Sequence, residues 1–255
     1  MNSPAPVLPA GTPRRILAWN ICQGGGKRLK RIFETISGHA ADILVLSEYR
    51  YGTMGLALEV ELQRQGYPYF SVCSRVQGQD SVSVLVAAKT PFSAKHFSGQ
   101  ITHPRRGDFS HRLVLARFPD FDIIGAYIPL CAGKTTVFDH LLRRTPDYLS
   151  RRTLLIGDLN TGLSPDDVQG GPLPSEDRLA QLYAAGWIDA WRSRHPADRE
   201  YTWFHSRSGN GFRIDQALVS KSFDQQIKTV WYSHTERGPG ISDHSALIVD
   251  LSTTP

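Results

Sequence analysis

The chain has 255 residues, of which 40% are hydrophobic and 21% are charged, and its formal net charge is +5. This composition is typical of a globular protein with a sizeable core, and the modest positive charge is compatible with a polyanionic partner. The three cysteines, Cys22, Cys73 and Cys131, include no Cys-x-x-Cys pair. Their number and spacing argue against a disulfide framework and against a structural zinc site.

The first 13 residues are rich in proline and lack the apolar centre of a signal peptide. They predict a flexible arm ahead of a single domain over residues 14–255. No apolar run approaches the length of a membrane span. The sequence therefore predicts a cytoplasmic protein with no membrane partner.

Short runs rich in β-branched and other apolar residues predict about eight strands. They cover residues 15–21, 42–46, 81–87, 111–118, 121–127, 153–156, 214–219 and 245–251. The Pro119-Asp120 connection between the fourth and fifth runs is typical of a tight hairpin, which joins antiparallel strands.

Helical spacing of apolar residues predicts four helices among these strands. They cover residues 27–39, 54–65, 138–149 and 176–185, and residues 162–175 are predicted to form a surface loop. Antiparallel strands interleaved with helices predict an α+β fold in which two packed sheets are covered by helices, with the last strand near the first.

Polar side chains follow several of these apolar runs. Asn20 lies at the end of the first run, Glu48 follows the second, and Asp158 and Asn160 follow the sixth. Hydrolysis of a phosphodiester with the help of Mg²⁺ needs such oxygen ligands, together with a base and a phosphate-binding group. Each residue also has a simpler interpretation, because Gly-Asp-x-Asn is typical of an Asx turn and a strand-end glutamate is often merely solvated.

Asp215 lies inside the apolar run of residues 214–219. A charge in such a run is unfavourable unless it has a partner, and a histidine would be suitable. An Asp–His pair keeps the imidazole protonated and orients it toward a phosphate.

Six short motifs in this order resemble the signature of the endonuclease/exonuclease/phosphatase superfamily. They are Trp19-Asn20, Ser47-Glu48, Tyr127-Ile128-Pro129, Gly157-Asp158-Leu159-Asn160, Arg213-Ile214-Asp215 and Ser242-Asp243-His244. The resemblance extends from about residue 15 to residue 251. It implies a deoxyribonuclease I-like fold, which is a four-layer α/β/β/α sandwich of two mostly antiparallel sheets. The last third is most similar to exonuclease III and the abasic-site endonucleases.

The resemblance implies a metal site in which Glu48 binds the ion, with Asn20 and Asp243 as direct or water-mediated ligands. Mg²⁺ is the expected ion, with Mn²⁺ as the alternative. 

The same resemblance implies that Asp158 activates or orients the attacking water and that Asn160 holds that water or a phosphoryl oxygen. His244, paired with Asp215, would contact the scissile phosphate. Tyr127 would donate to the phosphate or to the leaving oxygen.

Two further residues are expected to contact the substrate. The resemblance implies that Trp203 helps to form a pocket for a flipped-out abasic sugar, although a core or rim aromatic is an equal interpretation. Arg213 is the second expected substrate-binding residue. Two departures from the family pattern, Cys22 and Leu130, replace polar residues near the metal and the phosphate, so features tuned to abasic DNA are partly lost.

The leading hypothesis is a magnesium-dependent phosphodiesterase that hydrolyses a nucleic-acid backbone as a monomer, with DNA favoured over RNA. The alternative is a phosphatase or phosphodiesterase acting on a small phosphorylated metabolite or a lipid headgroup. The third hypothesis is a nucleic-acid-binding relative without catalytic activity.

Overall fold

The structure is a computed structural model that describes residues 14–73, 82–130, 132–238 and 240–252. The predicted flexible arm of residues 1–13 lies outside the described residues, as do Ser81 at the start of a predicted strand and Cys131.

Five α-helices are present in the described ranges: α1 (Leu29–His39), α2 (Thr53–Arg64), α3 (Gly133–Leu149), α4 (Glu176–Ala184) and α5 (Lys221–Asp224). The strands in the same ranges are β1 (Arg14–Asn20), β2 (Ile43–Arg50), β3 (Tyr69–Val72), β4 (Val82–Ala88), β5 (Ser93–Lys95), β6 (Thr102–His103), β7 (Gly107–Asp108), β8 (Leu113–Arg117), β9 (Asp122–Tyr127), β10 (Thr153–Asp158), β11 (Ile188–Asp189), β12 (Trp203–Phe204), β13 (Gly211–Phe212), β14 (Asp215–Val219), β15 (Ile227–Ser233) and β16 (Ala246–Leu251).

Two six-stranded sheets form the centre of the fold. The first has the order β15-β16-β1-β2-β4-β3, and the second has the order β11-β14-β10-β9-β8-β5. The pairs β1–β2 and β9–β10 are parallel, and the other neighbours in both sheets are antiparallel. The remaining strands form two small two-stranded sheets, β12–β13 and β6–β7.

The faces of the two sheets bury different clusters of side chains. Along β1, Ile16 and Ala18 belong to the core between the sheets, whereas Leu17 and Trp19 pack toward α1 and α2. The outer face of the second sheet packs in the same way against α3 and α4. Central strands that are buried on both faces have nearly continuous apolar sequences. The predicted four-layer α/β/β/α sandwich is confirmed.

Two predicted strand pairings are confirmed. The hairpin of β8 and β9 pairs Leu113 with Ala126 and Arg117 with Asp122. The last strand, β16, pairs with the first, β1. The prediction of about eight strands was wrong, because it omitted short edge strands and β15, whose Lys228 is exposed.

The apolar spacing predicted a helix that begins at residue 138, but helix α3 begins at Gly133. Its first turn is packed tightly, because a Cβ atom on Gly133 would lie 2.2 Å from the Phe109 ring. Glycine and threonine are weak helix formers, so the sequence of this turn gave little helical signal.

Several strands end at the same edge of the sandwich. In the second sheet, Asp158 at the end of β10 lies beside Tyr127 of β9 and beside Asp215 of β14. In the first sheet, Asn20 at the end of β1 lies beside Ser47 of β2. The hydroxyl group of Ser47 donates to the carbonyl oxygen of Ala126 across the two sheets, at 3.2 Å. Among the described helices, none has both the length and the apolar character needed to cross a bilayer.

Candidate active site

Glu48 lies at an irregularity in β2. The register between β2 and β4 shifts between Ser47 and Tyr49, and Glu48 has a φ of 61°. A bulge of this kind turns a side chain out of the regular alternation of a strand, and a positive φ is unfavourable for a residue with a Cβ atom. The sequence predicted the position of Glu48 after a buried run, and the bulge turns its carboxylate toward the strand ends.

The Glu48 carboxylate is held by three donors. The side-chain nitrogen of Asn20 and the hydroxyl group of Tyr127 both donate to Oε1, each at 3.1 Å. The backbone N–H of Gln23 donates to Oε2 at 2.6 Å. These contacts fix the carboxylate at the meeting point of the two sheets.

Asn20 connects two carboxylates. Its side-chain nitrogen donates to Glu48 and also to Oδ2 of Asp158, at 2.9 Å. Its side-chain oxygen accepts from the backbone N–H of Cys22 at 2.9 Å. The amide nitrogen, rather than the oxygen expected of a metal ligand, therefore faces the carboxylates in this orientation.

Asp158 and Asn160 form an Asx turn, which is the simpler interpretation of their sequence. The backbone N–H of Asn160 donates to Oδ1 of Asp158 at 2.8 Å, and Asn160 has a φ of 52°. The turn also places both side chains in the site, because the Asn160 side-chain nitrogen donates to Oδ2 of Asp158 at 3.3 Å and to the carbonyl of Ile128 at 2.7 Å. The turn and the functional interpretation are therefore compatible.

The turn also depends on Gly157. This residue has a φ of 139°, and a Cβ atom there would lie 2.1 Å from the carbonyl oxygen of Ala126. Only glycine allows β10 to approach β9 so closely at this point.

His244 and Asp215 form a buried pair, with Nδ1 of His244 at 2.9 Å from Oδ2 of Asp215. Burial alone would lower the pKa of His244, but the charge and hydrogen bond of Asp215, together with the charges of Asp158 and Asp243, outweigh it and raise the pKa to about 10. The imidazole is therefore a cation at neutral pH. Ser242 fixes its loop, since the Ser242 hydroxyl donates to the carbonyl of Asn20 at 2.6 Å and accepts from the His244 N–H.

Asp158 shares this charged environment. One ligand atom from each of Asp158, Asp215 and His244 lies within 4.8 Å of the others, a grouping that could hold a metal ion only with a neutral His244. Burial raises the pKa of Asp158, and the neighbouring Asp215 raises it further. Burial and the charges of Asp158 and Glu48 also raise the pKa of Tyr127, which keeps its hydroxyl a hydrogen-bond donor.

Trp203 and Asp243 lie at the rim of the site. Asp243 is exposed, and its carboxylate accepts from the indole N–H of Trp203 at 3.0 Å. The Trp203 ring is half-buried, 6.4 Å from the His244 ring and 5.7 Å from the Phe212 ring between centroids. The indole therefore packs at the rim of the site. It carries the β12–β13 hairpin up to the edge of the site.

The expectation that Arg213 contacts substrate was wrong. Arg213 is 1% exposed, and its guanidinium is engaged by Asp167 at 2.8 Å and by Asp189 at 2.5 Å. It also lies over the ring of Trp191. These contacts use the guanidinium inside the protein, where it supports the segment leading into β14.

The sequence interpretation missed Lys134, in the first turn of α3. This lysine is 2% exposed, and its Nζ donates to the carbonyl oxygen of Asn160 at 2.6 Å. Burial lowers its pKa to about 8, against the opposing effect of Asp158. A Gly-Lys pair a few residues after Tyr127 was the available signal, but lysines in such positions are usually solvated.

The sequence interpretation also missed Arg112. Its guanidinium lies over the Tyr127 ring, 4.7 Å from the ring centroid. It reaches the site from the short helical turn Ser110–Arg112 before β8, and the sequence predicted a strand there. A contact of this kind depends on the fold and has no local sequence pattern.

Comparisons with known proteins agree with the fold. The model of the endonuclease/exonuclease/phosphatase family matches residues 17–244. The DNA repair nuclease APEX1 of Danio rerio is 25% identical to this chain over an alignment of 265 residues. The alignment covers 93% of this chain and 82% of that protein.

Solved structures have the same fold at low sequence identity. An AP endonuclease from Archaeoglobus fulgidus has a TM-score of 0.76 and 18% identity, covering 92% of this chain and 98% of that one. The 3′ phosphatase NExo from Neisseria, bound to a product DNA hairpin, has a TM-score of 0.78 and 20% identity, covering 94% and 99%. The 3′-5′ exonuclease from Neisseria meningitidis has a TM-score of 0.76 and 19% identity, covering 93% and 99%. The predicted resemblance is confirmed, and the chain belongs to the endonuclease/exonuclease/phosphatase family, whose members are hydrolases of phosphoester bonds.

Proposed function

We propose that this chain is a magnesium-dependent phosphodiesterase of the exonuclease III type that hydrolyses a nucleic-acid backbone. The observation that carries the proposal is the amide of Asn20, which joins the carboxylates of Glu48 and Asp158 beside the buried Asp215–His244 pair. This arrangement supports the proposal, because it would combine a cation-binding carboxylate, a base and an imidazolium at one point.

The donor set fits a hard divalent cation. Glu48, Asp158 and Asp243 bring carboxylate charges to the same edge of the sandwich, and the His244 imidazolium is already engaged by Asp215. Mg²⁺ prefers carboxylate oxygens and keeps several waters, so Glu48 would hold it, with Asp243 reached through water. Asn20 would become a ligand if its amide turned its oxygen toward the ion. The bound ion would neutralise charge on the phosphoryl oxygens and the leaving group.

Asp158 is placed to take a proton from the attacking water. Its burial and its raised pKa make it a stronger base than an exposed aspartate. Asn160 would orient the same water, because its nitrogen donates to Ile128 and Asp158 and its side-chain oxygen can accept from a water O–H; a contact with a phosphoryl oxygen would need the nitrogen as donor. The αL turn at Asn160 is in turn supported by Lys134.

His244 and Tyr127 supply the groups that contact the phosphate. The imidazolium of His244, held charged by Asp215, stabilises the negative charge that develops on the phosphoryl oxygens. The hydroxyl of Tyr127 remains protonated and donates to Glu48 in this structure, from where it can donate to a phosphate or leaving oxygen.

A nucleic-acid substrate, with DNA favoured over RNA, is supported by three features. The net charge is +5, the indole of Trp203 borders the site, and the relatives include a DNA repair nuclease and a phosphatase bound to a DNA hairpin. Trp203 would contact the sugar or base next to the scissile phosphate. The single domain of residues 14–255, the monomeric state and the cytoplasmic location stay predictions.

The test is cleavage of two labelled DNA duplexes, identical except for one abasic site, with and without Mg²⁺. Asp158→Asn is the inactive variant, and Asp177→Asn, at an exposed position in α4, is its matched control. We expect Mg²⁺-dependent cleavage by the wild type and by the control, and almost none by Asp158→Asn.

The outcomes separate the candidate functions. Selective cutting at the abasic site indicates a repair endonuclease, and equal cutting of both duplexes indicates a general nuclease. If neither duplex is cut but phosphate is released from small esters, the nuclease proposal is wrong and the phosphatase alternative holds. Binding of DNA without turnover of any ester would support the third hypothesis, a nucleic-acid-binding relative of the family that has no catalytic activity.

A further inference from the structure

A second charged pocket lies away from the candidate active site. It has a volume of about 330 Å³ and lies beside the C-terminal end of α3 and the start of β9. Its charged lining residues are Lys95, Arg117, Asp122, Arg144, Asp147 and Arg151. Asp122 begins β9 and Tyr127 ends it, so the pocket is roughly 17 Å from the candidate active site along the strand.

The pocket carries an excess of positive charge. Its lining has four cationic side chains and two carboxylates. Asp122 is 1% exposed and is shared between Arg151, at 2.7 Å, and Arg117, at 3.9 Å. Arg144 pairs with Asp147 at 3.0 Å on the exposed side. Two carboxylates therefore balance only half of the positive charge, and an anion would balance the rest.

Tyr148 supplies a second, independent observation. This residue is 4% exposed and lines the pocket, and within the described residues no hydrogen-bond acceptor reaches its hydroxyl group. The guanidinium groups of Arg144 and Arg117 lie near the hydroxyl, but they are donors and cannot accept its proton.

The protonated hydroxyl therefore lacks an acceptor. Burial raises the pKa of Tyr148 to about 12, so the O–H group stays a donor at neutral pH. A buried donor without a partner is destabilising, and an oxygen of a bound ligand would remove the penalty.

We propose that this pocket binds a phosphate-type oxyanion, with the Tyr148 hydroxyl and the Arg144 and Arg151 guanidinium groups as donors. Phosphate oxygens are acceptors only, so one ligand satisfies the tyrosine and balances the arginines. The same chemistry is offered by free phosphate and by a backbone phosphate of a nucleic acid. The pocket is separate from the proposed catalytic machinery and does not depend on it.

The first experiment measures thermal unfolding in a chelator, with sodium phosphate compared with sodium chloride at equal ionic strength. Phosphate would also bind at the candidate active site, so every measurement is repeated in His244→Ala, which removes the phosphate contact there. Tyr148→Phe removes only the hydroxyl, and Arg144→Gln removes one charge. Arg64→Gln, at an exposed position in α2, is the control for loss of charge.

We expect phosphate to raise the Tm of wild type, of His244→Ala and of Arg64→Gln. In the His244→Ala background, Tyr148→Phe and Arg144→Gln should each weaken phosphate affinity about tenfold, which corresponds to about 1.4 kcal/mol. Without phosphate, Tyr148→Phe should be at least as stable as wild type, because it lacks the unsatisfied donor. A phosphate effect that disappears in His244→Ala but is unchanged in Tyr148→Phe would overturn the proposal, as would the absence of any effect.

The second experiment distinguishes the sources of the anion. Binding of a labelled DNA duplex is measured by fluorescence anisotropy over a series of salt concentrations, with the wild type and Arg144→Gln. A salt slope reduced by about one unit in the variant assigns the pocket to a backbone phosphate. An unchanged slope, together with the loss of phosphate-dependent stabilisation, assigns it to free phosphate.

Discussion

His244 and Asp215 come from different sheets and meet inside the protein. Nδ1 of His244 lies 2.9 Å from Oδ2 of Asp215, and both side chains are almost fully buried. Asp215 begins β14 in the second sheet, whereas His244 lies two residues ahead of β16 in the first. The pair therefore ties the two sheets together at the edge where the other candidate residues lie.

Replacing Asp215 by asparagine tests the charge of this pair. Asparagine keeps a polar contact with the imidazole but leaves it without an anionic partner. We expect kcat for DNA cleavage to fall by about 10²- to 10⁴-fold, with a smaller change in KM, because the imidazolium would stabilise the transition state more than the bound substrate. Steady-state kinetics measure both constants. Asp198→Asn, an exposed aspartate outside the site, should leave them unchanged. Wild-type kcat in Asp215→Asn would contradict the role assigned to the pair.

The sequence could predict the sheets because their central strands are buried on both faces. Runs such as that of β10, Thr153–Asp158, have an apolar centre, and every residue in this strand is buried. The edge strand β15 has an exposed lysine and threonine between buried residues, and its pattern was too weak to detect. Long helices and buried strands were therefore predictable, and short or half-exposed edge strands were not.

The candidate site shows a similar limit. Asp158 and His244 lie next to strand ends and have recognisable motifs, so their positions could be expected from the sequence. Arg213 stands two residues before Asp215 in one of those motifs, but it precedes the strand, and its guanidinium turns to Asp167. Lys134 contacts the site through the backbone carbonyl of Asn160, and a contact of this kind cannot be predicted from a pattern of side chains. The sequence gives the residues near the strand ends, and the directions of their side chains depend on the fold.

Glu48 is expected to control the requirement for a divalent cation. Chelation should abolish cleavage by the wild type, and added Mg²⁺ should restore it, since carboxylates would hold the ion. In Glu48→Gln, the Mg²⁺ concentration for half-maximal activity should rise at least about tenfold, because the ligand loses its negative charge. A titration of activity with Mg²⁺ measures this value. Glu34→Gln, at an exposed glutamate of α1, is the control. Equal Mg²⁺ requirements in wild type and Glu48→Gln would exclude Glu48 as the principal ligand.

Lys134 is expected to act as a positioning residue for Asn160. Its Nζ is 2.6 Å from the Asn160 carbonyl, and Asn160 is held in the αL conformation with a φ of 52°. Lys134→Met keeps the length of the side chain but removes the donor, so Asn160 should lose one of the contacts that fix its turn. We expect kcat to fall by roughly tenfold or more with little change in KM. Lys134→Arg should recover part of the loss, since it restores a donor.

A purely structural effect of Lys134 would have a different result. In that case Lys134→Met would lower the thermal stability and the fraction of active enzyme, but the kcat of the folded fraction would be normal. Titration of active sites alongside steady-state kinetics separates the two outcomes.

Arg213 is expected to stabilise the fold without contacting substrate. Its buried guanidinium is balanced by Asp167 and Asp189, and removing it takes a cation away from both carboxylates, so that Asp167 keeps only its ion pair with Arg192 among those described. We expect Arg213→Met to lower the free energy of unfolding by about 3–5 kcal/mol. Urea denaturation measures this change, and Arg64→Met, at an exposed arginine, should change it little. A variant of wild-type stability with a raised KM would instead restore Arg213 to the substrate-binding residues.

The stability of the protein is expected to fall in mild acid because of two buried histidines. Burial, together with the charges of nearby arginines, lowers the pKa of His111 and of His140 to about 4. In the unfolded chain the pKa of histidine is near 6.5. Between these values the unfolded state binds more protons than the folded state, so stability is fully present above about pH 6.5 and is lost as the pH falls toward 4.

His111→Leu isolates one of these contributions. The His111 ring nitrogens make no hydrogen bonds within the described residues, so a leucine removes the titration without removing such a bond. The free energy of unfolding of wild type should fall more steeply with acid than that of His111→Leu, by up to about 1.4 kcal/mol for each pH unit between 6.5 and 4. Urea denaturation at several pH values measures the two slopes. Equal slopes in wild type and His111→Leu would mean that His111 protonates as readily in the folded protein as in the unfolded chain.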